Sequence, residues 1–485
     1  MKTNNRRYLR PAVLTCCITA FILACGSSPP NNATLCSTPA DCTDPAQAYC
    51  VAGVCHACAS PINCSATTPV CEAEIFECGA CVNDRSCSGY PKTSHCAPAG
   101  TCVGCVTSDQ CSGNTPVCDV APGVCKACTL DRECTSGACN LESGACIAEA
   151  EVLYAAPTGT ANTVCSRAMP CTVKQALARV DSGKSTVVLA DGNYPSTASS
   201  EALLAGAKSA LMIGSRLAIL NSASTTFGPA LRVTSGAALS LRGFTLAATD
   251  ANVVACNTAT LAVRDVEISG GNFVPLLELR DCKTKILNST LKGYAVEDVY
   301  ANLPSGLSTL EIDHCKFEIA GSLQRSLILV VIDGSAKISN SLFINTTPAA
   351  CQNNCKLVVL ASRNEGAVVV TFNTVVGGLM EVVANLGVLV QGNVVFAPNH
   401  TEAFGVGTFK NNLLVPLPAN LVTGNFTGDP LFVDAAAGDF HLKPGSPAID
   451  RGPVMVPAGV PATDFDGRLR PVGASTDIGA FEYTP

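Results

Sequence analysis

Between residues 239 and 415, apolar and polar positions alternate in short runs such as LSLRGFTL, LAVRDVEI, TKILNSTL, TLEIDHCKF, AKISNSLF and VVVTFNTVV. A period of two puts alternate side chains on opposite faces of a strand, and the Leu, Ile, Val and Phe of these runs suit a pleated, half-buried surface. Within each copy one small or polar residue interrupts the apolar positions, and it recurs as Gly243, Asp265, Asn288, His314, Asn340, Asn373, Asn393 and Asn412. The intervals are 22, 23, 26, 26, 33, 20 and 19 residues. A repeat of that length, with two or three short strands between polar turns, predicts a parallel β-solenoid with one coil per repeat. Equivalent turn residues in stacked coils lie about 4.8 Å apart. Asn288, Asn340, Asn373, Asn393 and Asn412 are therefore expected to form a ladder of side-chain amides that satisfies turn backbone groups. Ile286, Leu291, Ile338 and Phe343 should point inward and Lys292 outward.

The period changes just before the coils. Val173, Ala176, Leu177 and Val180 fall at i, i+3, i+4 and i+7, one face of a short helix with Thr172 as its cap. Set before the strand at 186–190, this helix suits a plug over the open end of the solenoid, since terminal coils need a cover. The order VLYAAPTGT, QALA, VVLADGNY resembles the start of the right-handed parallel β-helix family with the pectin-lyase-like fold. GDPLFVDAAAGDFHLKPGSPAIDRG, followed by TDFDGRLRP and TDIGAFEY, resembles the closing segment of many bacterial secreted β-helix proteins. Together these matches and the coils cover 152–485, with 428–485 as the closing segment. They imply an all-β, right-handed parallel β-helix. They imply no single reaction, because that fold carries lyases, hydrolases, adhesins and phage tail proteins.

Twenty of the thirty cysteines lie between 36 and 146, in five repeats of four. The first of each is Cys36, Cys58, Cys81, Cys105 or Cys128; the second follows six positions on, at Cys42, Cys64, Cys87, Cys111 or Cys134. The third and fourth are Cys50 and Cys55, Cys71 and Cys78, Cys96 and Cys102, Cys118 and Cys125, Cys139 and Cys146. Two residues separate the last cysteine of one repeat from the first of the next, a C-x-x-C spacing that zinc knuckles also use. An even count in an exported chain instead predicts two disulfides per repeat, and a unit this small needs cross-links in place of a core. Segments such as TPVCDVAPGVCKAC resemble the cysteine-rich repeats of large myxobacterial surface proteins, which implies a stalk. Elsewhere, Cys165 with Cys171, Cys351 with Cys355 and Cys256 with Cys282 are expected to pair, which leaves Cys315 as a buried thiol.

Export is itself an expectation from residues 1–24, where Lys2, Arg6, Arg7 and Arg10 precede an apolar run from 12 to 24. That run is too short to span a bilayer. Ile22-Leu23-Ala24-Cys25-Gly26 resembles the lipobox of bacterial lipoproteins, which implies lipid attachment at Cys25 and a place at the cell envelope, the outer membrane or cell surface. Residues 25–35 would then be a tether. The formal charge is −7, and loss of residues 1–24 would make it −11, which argues against nucleic acid as a partner.

Candidate chemistry is sparse. Ile312-Asp313-His314-Cys315 resembles a short run beside the calcium site of pectate lyases, without the family's preceding tryptophan or its downstream arginine-proline-arginine. A lyase would need carboxylates on adjacent coils for Ca2+ or for a uronate, and a Lys or Arg to take a proton. The candidates for those roles are Asp313, His314, Lys316, Glu267 and Arg264. The expected function is a surface module that interacts with extracellular polysaccharide, as a monomer and without metal or cofactor. The alternatives are a polysaccharide lyase on a uronate glycan, with Ca2+ as an optional cofactor, and a protein-binding adhesin.

Overall fold

The computed structural model describes residues 34–485 except 61–62, 73–75, 162–163, 195–201, 223–228, 249–251, 271–274, 294–298, 304–307, 320–327, 333, 348–355, 363–367, 385–386, 399–406 and 458. Cys25, Cys351 and Cys355 lie outside the described residues. By contacts the chain forms two compact units, Met1–Lys126 and Ala127–Pro485.

The first unit holds four cysteine repeats with one bridging pattern. The third and fourth cysteines face each other across a two-residue or three-residue hairpin, as Cys50 faces Cys55 between Tyr49–Val51 and Val54–His56. The first two cysteines flank a short 3-10 turn, such as Pro39–Asp41, whose Asp41 side chain accepts from the Ser37 and Thr38 amides at 2.7 Å. Bridges then run from first to third and second to fourth: Cys36–Cys50 and Cys42–Cys55, Cys58–Cys71 and Cys64–Cys78, Cys81–Cys96 and Cys87–Cys102, Cys105–Cys118 and Cys111–Cys125. Each pair staples turn to hairpin.

The second unit is a parallel β-helix. Among the described residues its strands form sheets of eleven, ten and eight, called here sheets 1, 2 and 3. Sheet 1 runs Val152–Thr160, Thr186–Leu189, Ser209–Ile213, Ala238–Arg242, Thr260–Arg264, Lys283–Leu287, Thr309–Asp313, Ser335–Ser339, Val368–Thr371, Val388–Gln391 and Thr408–Lys410, numbered below as rows 1 to 11. Sheet 2 begins with Gly192–Tyr194 and ends with Leu413–Val415; sheet 3 runs from Ala202–Ala205 to Leu379–Ala384. Inward residues stack on their equivalents one coil away. Ile286, Leu291, Ile338 and Phe343 have no exposed surface, and the Phe317 and Phe343 rings stack with centroids 4.9 Å apart.

The corner between sheets 1 and 2 takes two residues. In the upper coils the first of them is left-handed, at Gly243, Asp265, Asn288, His314 and Asn340 (φ 85°, 56°, 48°, 52° and 44°). Gly, Asn and Asp tolerate that region. At Gly243 there is also no room, since a Cβ would stand 2.5 Å from the Gly214 carbonyl oxygen. In the lower coils the left-handed residue is Phe372, Gly392 or Asn411, and Asn373, Asn393 and Asn412 come one position later, fully buried. The pairing of Ser339 with Thr371 and Leu342 with Thr374 puts Ser341, not Asn340, level with Asn373.

The expected five-residue ladder therefore combines two positions. Asn288 and Asn340 are left-handed turn residues outside the ladder: Asn288 is exposed, and Asn340, buried under the closing segment, donates Nδ2 to the Thr463 carbonyl at 3.0 Å. The interior ladder is Asn373, Asn393, Asn412 and Asn425: each of the first three donates its amide N–H and side-chain Nδ2 to the next side-chain oxygen, at 2.8 to 3.1 Å. It continues upward through smaller side chains. The Ser341 amide donates to Asn373 Oδ1 at 3.0 Å, the Cys315 amide to Ser341 Oγ at 3.1 Å, and the Val266 amide to Ser289 Oγ at 3.2 Å. Cys315 is thus a rung, and its thiol donates to the Ile286 and Asp313 carbonyls.

The helix Val173–Ala178, capped by Thr172 Oγ1 accepting from the Gln175 amide, buries Ala176 and Leu177 at the upper end of the core. Cys165–Cys171 closes the loop before it, and Cys256–Cys282 bridges adjacent coils of sheet 3 and its following turn. Leu417 and Leu421 pack on the core at the lower end.

The fifth cysteine repeat belongs to this unit although composition sets it with the other four. Bridged by Cys128–Cys139 and Cys134–Cys146, it lies on the outer face of sheet 1, where Ala138 packs with Val152, Tyr154 and Ile213. Tyr154 donates to the Ser136 carbonyl at 3.0 Å, and Arg242 Nε donates to Asp131 Oδ2 at 2.9 Å. The change in composition at 146 thus falls after the division of contacts at 126, because apolar outward residues in rows 1 to 3 need a cover.

Candidate functional site

Among the described residues of the second unit, the outer face of sheet 1 is covered at its upper rows and open in its middle rows. From row 5 to row 9 it forms a bay of about 710 Å³. Its floor follows from strand register. One column of outward positions runs Ala262, Lys285, Glu311, Lys337, Val369, and beside it runs Thr260, Lys283, Thr309, Ser335. Alternation turns these side chains outward because Leu261, Thr284, Leu310 and Ala336 between the two columns are buried. Lys285 and Glu311 form an ion pair at 3.0 Å. Among the described residues Lys283 and Lys337 have no salt-bridge partner, which leaves the floor net positive.

None of the five residues singled out from sequence lines this bay, and of the five only Asp313 and His314 meet each other. Asp313 and His314 sit at the corner under the closing segment. His314 Nδ1 lies 2.7 Å from Asp313 Oδ2, and His314 Nε2 lies 2.7 Å from the Asp464 carbonyl oxygen. Acceptors at both nitrogens suit an imidazolium: the bond to Asp313 raises the His314 pKa against the opposing effect of burial. Burial works to raise Asp313, yet the hydrogen bonds from His314 and Ser339 outweigh it and hold the carboxyl below its usual range. Both groups are therefore spoken for by a structural tie. Glu267 lies on sheet 2, where Lys292 bridges it at 3.0 Å. Lys316, two coils below Glu267, pairs with Glu318 in its own strand. Arg264 turns to Asp265 at 3.5 Å. Cys315 is no nucleophile either, since burial pushes its thiol up to about 12.

Sequence reasoning missed two things. Lys337 was hidden because its place beneath Glu311 depends on register between coils 26 residues apart. The closing segment's buried polar cluster also went unread. Arg470 Nη1 donates to Glu482 Oε1 at 2.6 Å with both side chains fully buried, and its guanidinium stacks on the Phe372 ring at 4.8 Å. Asp464 accepts from the Arg468 and Glu482 amides. Asp477 accepts from the Asp450 and Tyr483 amides. Burial raises Asp477 to about 6. The repeated Asp and Glu of TDFDGRLRP and TDIGAFEY were the available signal, and they hold the segment together.

Comparison with known proteins adds little to this geometry. Residues 59–152 match a family model described as a family of unknown function (DUF8331). No curated protein sequence matches the chain. Among solved structures the chain is similar to one titled "Crystal structure of pectate lyase Pel9A", with 15% identity and a TM-score of 0.48 over 70% of this chain and 98% of that one.

Proposed function

We propose that this chain is an exported, lipid-anchored β-helix that binds an anionic, uronate-bearing polysaccharide in the bay on sheet 1 without cleaving it. One observation carries the reading: the bay is a stretch of outer sheet surface that the described residues of the second unit leave uncovered, and its floor bears Lys283, Lys285 and Lys337 against the single described acid Glu311. Cations fixed on a rigid sheet attract a polyanion and need little reordering to hold it. Cleavage is not supported by the same floor. Calcium takes about six to eight oxygen ligands, whereas the bay's described lining has one carboxylate, already bridged to Lys285. The residues present do not fit that ion.

Affinity electrophoresis in gels containing polygalacturonate, alginate or a neutral glycan tests this reading. Retardation by at least one uronate polymer, lost at high salt, with no unsaturated product accumulating, is expected. Equal migration in all gels would sink polysaccharide binding, and growth of the unsaturated chromophore would replace binding with lyase activity. The anchor is tested separately: Cys25→Ser should move the protein from the membrane to the soluble exported fraction.

A further inference from the structure

The bay has walls at both ends along the β-helix axis, and both are made by parts of the chain that are not coils. At the upper end the fifth cysteine repeat lies over rows 1 to 4. It reaches row 4 where Arg242 is held by Asp131 and donates to the Cys139 carbonyl at 2.7 Å. At the lower end residues 453–457 of the closing segment cross rows 9 and 10. Pro457 lines the bay, Gln391 Nε2 donates to the Met455 carbonyl at 3.4 Å, and Pro453 lies so close to Gly392 that a Cβ there would stand 2.8 Å from its ring. Val369 points outward yet is only 9% exposed, whereas the Met455 side chain on this crossing segment is 81% exposed.

We infer that these walls make the bay a fixed-length site, filled by a short run of an acidic oligosaccharide, rather than an open track along which a polymer passes. This rests on the polysaccharide reading above. Rows 5 to 9 span four strand spacings, about 19 Å. The two lysine-bearing rows, 6 and 8, fall within that span, so anionic groups farther along a longer chain meet the walls instead of more cations.

Calorimetric titration of the whole protein with galacturonate oligomers from dimer to octamer tests the inference. The Kd should fall by roughly tenfold or more up to the length that fills the bay, about 1.4 kcal/mol. It should then change by less than about twofold, the statistical gain of extra registers. A Kd that keeps falling steadily to the octamer would overturn the fixed length while leaving polysaccharide binding intact. Failure of every oligomer and polymer to bind would bring down both. Met455→Gly with Pro457→Gly trims the lower wall at two exposed positions and should move the plateau to longer oligomers. An unmoved plateau in a folded variant would show that the lower wall does not set the length.

Discussion

Sheets 1 and 2 present similar backbones to solvent, yet the chain treats their outer faces differently. The lower rows of sheet 2 carry Leu342, Ile344, Val394 and Leu413 outward, and the closing segment buries them beneath Phe432, Phe440 and Leu442. Its upper rows carry charges that neutralise one another, Lys292 with Glu267 and Lys316 with Glu318. Sheet 1 is covered at its two ends, where outward Tyr154, Ile213 and Val369 need shelter, and is open in the middle, where outward positions are Thr, Ser, Lys and Glu. Cover follows apolar outward residues, and mutual pairing follows mixed charge. In the middle of sheet 1 the described residues provide neither cover nor enough acid: Glu311 pairs with Lys285, while Lys283 and Lys337 have no salt-bridge partner among the described residues.

The contrast can be broken most severely from within. Phe343 lies between outward Leu342 and Ile344 in a strand covered on both sides, and Phe343→Ala should cost about 3 to 5 kcal/mol in denaturant melts. Lys285→Ala on the open face of sheet 1 should stay within about 0.5 kcal/mol. Comparable losses at both would mean that the sheet 1 face is also covered.

A smaller effect separates the two kinds of corner asparagine. Asn393→Ala strands the amide N–H of Asn373 in the core, while Asn373 Nδ2 keeps the Ile338 and Thr371 carbonyls, and should cost about 1 to 3 kcal/mol. Asn288→Gly keeps an exposed left-handed residue and should fall within about 0.5 kcal/mol. Similar costs for the two would restore the single five-residue ladder.

Smaller still is a pH effect confined to the cover of sheet 2. His314 is raised by Asp313, and His441 is raised by Asp466 and Asp439 despite burial, so each stabilises the closing segment below its unfolded pKa and loses that contribution as pH rises through the folded one. Asp477, raised by burial to about 6, acts in the same direction, its contribution fading between about 4 and 6. Hydrogen exchange over 464–482, corrected for intrinsic rate, should therefore be faster at pH 8 than at pH 5, with the bay strands unchanged. Equal protection at both would detach these residues from the cover's stability.

The period of two, the β-branched strands and the coil-length repeat made the β-helix legible, because each is a local property of the chain. The corner ladder was legible only by type. Asparagine suits both a left-handed turn and an inward rung, and the shift from Asn340 to Asn373 is one residue that Phe372 disguises. The bay was less legible still. Lys285, Glu311 and Lys337 form a column only through register across coils of unequal length. What closes it off comes from the fifth repeat and from residues 453–457, far away along the chain.

Lysine acetylation footprinting, read by mass spectrometry with and without a saturating uronate polymer, tests the account most directly, because both sheets are reported in one sample. Bound polymer should protect Lys283, Lys285 and Lys337 by severalfold and leave Lys292 and Lys316 on sheet 2 unchanged. Protection of the sheet 2 lysines with the bay lysines still reactive would contradict it.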